Sequence, residues 1–258
     1  MPTHSQHDSL LPERRAPAAK RSLWLTSLCA YCSFLYFPRP LGAFAALALL
    51  ICLAEPLSAQ TSNDWTLRKE ENGIRVLTRP QPGSDFAAVR AEMVLDNVSL
   101  AALTALIEEP GACALLESRC AEARVLERPS AQEMLLYRHN DMPFPIKDRD
   151  MVLRVTTKQN PETLRVAITL VAEAGVLPVN PRRVRLPSAS SAWIFTPVGE
   201  GRVEVVSEGH IDPGASLPAW MLNRFLVDAP FSTMEAVATL VSAAPFRDAQ
   251  RSGIREPR

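Results

Sequence analysis

The chain has 258 residues, with 28 Lys and Arg set against 28 Asp and Glu, so its formal net charge is zero. That length allows one domain of about 200 residues plus a leader. Without residues 1–59 the balance is 23 basic to 25 acidic residues. Such a balance lacks the basic footprint that a nucleic-acid partner requires.

Residues 1–59 read as a leader. An apolar run, Leu23 to Phe37, is broken by Pro38-Arg39-Pro40 and followed by a second, Leu41 to Ala54. Neither reaches the roughly 18 to 20 apolar residues of a membrane-spanning helix. Arg39, the second run and the small-residue end at Leu57-Ser58-Ala59 resemble a secretory signal cut after Ala59. The long upstream part leaves two alternatives open, an uncleaved anchor or a start codon assigned too early. The expectation is an exported protein, periplasmic or extracellular or tethered to the membrane, with its working domain in residues 60–258.

That domain begins with a short element from Asp64 that ends at the turn Glu71-Asn72-Gly73, before a strand from Ile74 to Thr78. After a Pro- and Gly-containing loop, Phe86 to Val94 alternates Val89, Ala91 and Met93 with Arg90 and Glu92, which completes a hairpin. Ser99 can cap a helix running to Glu109, with Leu100, Leu103, Leu106 and Ile107 at one-face spacing. Pro110-Gly111 stops it, and a shorter helical piece follows around Ala112 to Glu117.

Cys113 and Cys120 are the cysteines left outside the leader. In an oxidising compartment they can form a disulfide, and as two buried free thiols they are equally well explained. A zinc site built on them is disfavoured, because the chain has no paired CxxC or HxxxH spacing. No metal and no cofactor is expected.

Strands dominate from Ala121 onward: Ala121 to Leu126, Gln132 to His139, Arg149 to Thr157 and Thr163 to Ala172. In the last, Leu164, Val166, Ile168 and Leu170 are expected to face one way. Between the second and third, Pro143-Phe144-Pro145 makes a corner, since prolines cannot donate ladder hydrogen bonds. Arg149 shares side-chain parity with Met151, Leu153 and Val155, while Asp150 and Arg154 lie on the other face. A guanidinium on an apolar face needs a partner, either a carboxylate such as Glu133 or Asp141 or a polar ligand group. A basic, proline-rich region follows from Pro178 to Pro187, then a hairpin of Ala189 to Pro197 with Val203 to Ile211. The end is helical: Ser216 can cap, Pro218 sits in a first turn, and Trp220, Met221, Phe225 and Leu226 form an apolar face. Pro230 should interrupt the helix and Ser232 with Glu235 restart it as a capping box. The whole reads as α+β, with a long C-terminal helix laid across a curved antiparallel sheet.

Four motifs in order carry a resemblance to a known family. They are Asp64-Trp65-Thr66-Leu67 with Gly73-Ile74, the Pro143-Phe144-Pro145 to Arg149-Asp150 run, Ser191 to Pro197, and His210 to Asn223. Together they resemble the START lipid-transfer domains. The resemblance implies a helix-grip fold whose sheet wraps a hydrophobic cavity closed by the C-terminal helix, which acts as a lid. It implies a lipid or sterol-like ligand, transient membrane contact and a monomer. Arg149 would meet the ligand's polar group, with Tyr137, Met151, Leu153, Trp193, Trp220, Met221 and Phe225 lining the site. Met142 before the corner, with no Trp and Tyr cluster nearby in sequence, argues against a choline cage.

Catalytic motifs are missing: there is no Gly-rich phosphate loop, no HExxH and no GxSxG. His210 with Asp212 makes a weak acid-base pair, since two residues on one strand end seldom converge. The chain is therefore read as a binding protein and not an enzyme. Two other readings stay open: a helix-grip enzyme of the polyketide cyclase type using Arg149, Tyr137 and His139, and an interaction domain with a filled interior.

Overall fold

Asn72 and Gly73, with φ of 53° and 76°, supply the left-handed turn that a tight hairpin needs. They join β1 (Thr66–Glu71) to β2 (Ile74–Arg79). This structure is a computed structural model, and it describes residues 65–199, 201–212 and 224–257, without the side chains of residues 224 and 225. The elements that follow are β3 (Ala88–Asp96), α1 (Leu100–Glu108), α2 (Cys113–Leu116), β4 (Cys120–Ser130), β5 (Glu133–Asn140), β6 (Arg149–Gln159), β7 (Val166–Ala172), β8 (Val184–Arg185), β9 (Ala189–Pro197), β10 (Arg202–Ile211) and α3 (Ala229–Val241). The expected α+β class is what forms.

Among the described residues the strands make one sheet in the order β1-β2-β3-β10-β9-β7-β6-β5-β4, antiparallel throughout, with β8 added in parallel to the start of β6. The register aligns apolar side chains in rows across one face. Met93, Val205, Phe195 and Val166 make one row, and Leu170, Val155 and Met134 make another. Helices α1 and α3 pack on that face, with Leu103, Leu106, Met234 and Val237 fully buried against it. A second, smaller apolar cluster of Leu135, Tyr137 and Val152 lies on the opposite face, beneath Val176 and Leu177 of the β7–β8 connection.

Ser99 caps α1 as expected, its Oγ accepting from the Ala102 N–H at 3.0 Å. The same helix end has a second partner that sequence spacing did not reveal: the Glu256 carboxylate accepts from the N–H groups of Leu100 and Ala101 at 3.0 and 2.8 Å. A carboxylate there also suits the positive end of the helix dipole. Ser99→Ala is therefore expected to cost about 1 kcal/mol, measured as a lower urea midpoint. Loss of the Glu256 carboxylate in the same background should cost more than it does alone if the two caps share one helix end.

Three local expectations are corrected. Leu164 has φ of 59° and sits in the turn, so β7 starts at Val166 and not at Thr163. The Pro178 to Pro187 region is not wholly irregular, because Val184 and Arg185 pair with Arg149 and Asp150. Pro230 does not force a restart at Ser232. It occupies the first turn of α3, where its missing N–H costs nothing, and a π-helical turn (Arg224–Asp228) leads into it. The expected cap at Ser216 and the helix start near Pro218 lie outside the described residues.

Candidate functional site

Strand register divides the apolar face into a long hydrophobic body and one polar end. At that end Arg149 of β6 pairs with Asn140 of β5, which pairs with Cys120 of β4. The next row holds Met151 and Arg138, and the one after that Leu153 and Leu136. Met151, Leu153 and Trp193 are all buried in the main core, as parity within each strand requires.

Arg149 is 4% exposed. Its Nη1 donates to the Lys147 carbonyl at 2.5 Å, and its Nε is the one buried side-chain nitrogen or oxygen among the described residues with no hydrogen-bond partner. Burial lowers its pKa from the ordinary arginine value, and the nearby Asp148 charge offsets part of that. The carboxylates considered as partners are engaged elsewhere. Glu133 pairs with Arg154, and Asp141 lies 3.4 Å from His139. An apolar surround with an unused N–H edge of a guanidinium is costly for the protein alone and well suited to an oxygen-bearing group brought in from outside.

Three more polar residues join this end. Arg138 is paired with Glu117 and also donates from Nε to Asn140 Oδ1 at 3.0 Å. Glu117 follows α2, which the bond between Cys113 and Cys120 fastens to the start of β4. With both cysteines in that bond, neither is available as a zinc ligand. The signal for Arg138 and Asn140 was present in the alternation of Met134, Leu136, Arg138 and Asn140. Placing them beside Arg149 required the register across the 141–148 loop.

Tyr137 is not brought to this site. It pairs with Val152, so it shares a face with Asp150 and lies on the far side of the sheet from Arg149. Its hydroxyl donates to Asp150 Oδ2 at 3.2 Å and accepts from Arg183 Nη1 at 2.5 Å. Burial, with the Asp150 charge, raises the tyrosine pKa. Asp150, 1% exposed, is also held by Arg185 at 2.8 and 3.1 Å. Burial alone would raise its carboxyl, but the Arg185 hydrogen bonds and charge, the tyrosine hydroxyl and the Arg183 charge outweigh it and hold the pKa below the ordinary range. His139 shares that outer face, so an Arg149, Tyr137 and His139 constellation is not assembled. His210 is engaged by Ser84 Oγ at 3.0 Å.

Trp220 and Met221 lie outside the described residues, as does the side chain of Phe225. β10 ends at Ile211, opposite Ala189, and three residues before Ala189 the Leu186 N–H bonds the Asp150 carbonyl. Two open depressions among the described residues are surface features away from Arg149. One, of about 440 Å³, lies at the β6–β7 turn around Gln159 and Arg165. The other, of about 360 Å³, lies between β1, β2 and the loop through Pro80 and Phe86.

The family model for the START domain matches residues 53–241. An uncharacterized protein of Pseudomonas aeruginosa is 32% identical over 177 residues, which cover 68% of this chain and 86% of that protein. The crystal structure of a STAR-related lipid transfer protein fragment from Xanthomonas axonopodis aligns at a TM-score of 0.63 and 26% identity, over 69% of this chain and 99% of the fragment. Human StAR-related lipid transfer protein 5 shares the fold at a TM-score of 0.62 and 16% identity, over 76% of this chain and 92% of that one.

Proposed function

We propose a function from one premise: the chain belongs to the START domain family. It binds a lipid or other hydrophobic small molecule against the apolar face of the sheet, the ligand's polar group meeting Arg149 and its apolar part lying along Met151, Leu153 and Trp193. The observation that carries the reading is the buried Arg149 guanidinium with its free Nε at the polar end of an otherwise largely apolar face. At about 0.8 kcal/mol per buried methylene, one acyl chain supplies most of the affinity, and the polar end supplies orientation.

The segment after Asp212, with Trp220, Met221 and Phe225, serves as the lid through which the ligand enters during transient contact with a membrane. Transfer between membranes is a step beyond binding. It needs only that the occupied chain leave one bilayer and release at another. The protein acts as a carrier and not a catalyst; the separation of Tyr137 and His139 from Arg149 by the thickness of the sheet supports this. Export to an oxidising compartment is part of the proposal, supported by the bond between Cys113 and Cys120 and by the composition of residues 1–59. Native mass spectrometry of the full chain, followed by organic extraction and identification of what it carried, tests the reading.

A further inference from the structure

On the outer face, at the corner between β5 and β6, three potential metal ligands converge. His139 Nε2 lies 3.2 Å from Asp148 Oδ2 and 3.4 Å from Asp141 Oδ1, and one ligand atom from each residue falls within 4.8 Å of the others. We propose that these three residues form a site for one borderline divalent cation of the zinc type, which ties the 141–148 loop to the end of β5.

The two histidine–carboxylate spacings fit a shared ion. With metal–nitrogen and metal–oxygen bonds of about 2.0–2.2 Å and tetrahedral angles, donors stand about 3.3–3.5 Å apart. Hydrogen bonding explains the cluster less completely, because Nε2 carries at most one proton and two carboxylates are aimed at it. The imidazole is 9% exposed and fixed by its strand, whereas the carboxylates are 68% and 36% exposed, which leaves an open side for water or a fourth donor. Asp148 is also oriented: its Oδ1 accepts from the Met142 N–H at 3.0 Å, leaving Oδ2 turned to the histidine. A hydrogen bond to the far oxygen of a ligand carboxylate is the kind of support that metal sites use.

Two carboxylates and a neutral imidazole match the charge of a divalent ion, and the mixed nitrogen and oxygen set favours zinc-like ions over calcium, which takes 6 to 8 oxygens. Two cations are close to Asp148: Arg183, which donates to the Tyr137 hydroxyl, and Arg149, which follows it in β6. The consequence is local order. The ligands bracket a loop whose tip, Phe144, is 98% exposed, and the last of them immediately precedes Arg149. This inference does not depend on the carrier reading.

The test is equilibrium dialysis of the chelator-stripped full chain against zinc, with elemental analysis and thermal denaturation in parallel. The expected result is a saturable zinc ion that raises the melting temperature and whose dissociation constant rises by at least about tenfold in Asp141→Asn and in Asp148→Asn, with calcium giving no saturable binding. His139 is buried, so its replacement can unfold the chain; exposed Asp141 and half-buried Asp148 keep the test decisive. Zinc binding that is absent, or unchanged in both variants, overturns the proposal and leaves the cluster as a histidine beside two carboxylates.

Discussion

Arg149→Leu is expected to weaken binding of the carried amphiphile by about ten- to a hundred-fold while leaving the stability of the empty protein unchanged or raised. The two effects have opposite signs because they come from different states. In the occupied protein the guanidinium makes charge-assisted hydrogen bonds to the ligand, worth about 1.5–3 kcal/mol, and each 1.4 kcal/mol is tenfold in affinity. In the empty protein the same group is 4% exposed, donating to the Lys147 carbonyl and leaving its Nε unpartnered. Replacing a buried, under-satisfied charge by an apolar side chain of similar reach is often neutral or favourable. A binding isotherm with the extracted ligand, paired with thermal denaturation of the empty protein, reads both. A variant that binds normally but unfolds easily would mean that Arg149 is structural.

The largest stability effect should come from the other face. Asp150→Ala is expected to cost about 3–5 kcal/mol, since it strands Arg185 beside a buried position and deprives the Tyr137 hydroxyl of its acceptor. Urea unfolding measures it. The loss should fall on the packing of the β7–β8 connection, because Arg185 also donates to the Leu177 carbonyl at 3.2 Å. The pH dependence follows from the same network. Asp150 is held below the ordinary value of 3.8, so the unfolded chain takes up its proton first as the solution is acidified. Its contribution is fully present above the unfolded pKa and is lost as pH falls through the lower folded value. Wild type should therefore lose stability below about pH 4 more steeply than Asp150→Asn, in which this group no longer titrates. Parallel slopes for the two proteins would show that Asp150 is not the linked group.

Parity within a strand was legible in the residues, and register between strands was not. The alternation of Arg149, Met151, Leu153 and Val155 put Arg149 on the apolar face without reference to any neighbour. The family resemblance places Tyr137 at the same site, yet the connection through residues 141–148 sets Asn140 and not His139 opposite Arg149. That offset sends Tyr137 to the far face, to the buried network with Asp150, Arg183 and Arg185. Those arginines lay in a stretch rich in proline, where turn signals hid the two-residue β8. Distant partners are the other class that sequence spacing conceals: Glu256 caps a helix more than 150 residues earlier, and no local pattern announces such a contact. Helix caps such as Ser99, strand limits bounded by Gly and Pro, and the order of family motifs are local, and these were readable.

The apolar face ending in Arg149 is proposed to hold an amphiphile. Native mass spectrometry of the full chain, then organic extraction and lipid identification, tests it most directly. The expected result is about one bound amphiphile per chain, carrying an oxygen-rich polar group, and its loss or marked reduction in Arg149→Leu. A chain that stays empty after exposure to mixed phospholipid vesicles, or one that carries its ligand equally well without the arginine, would contradict it.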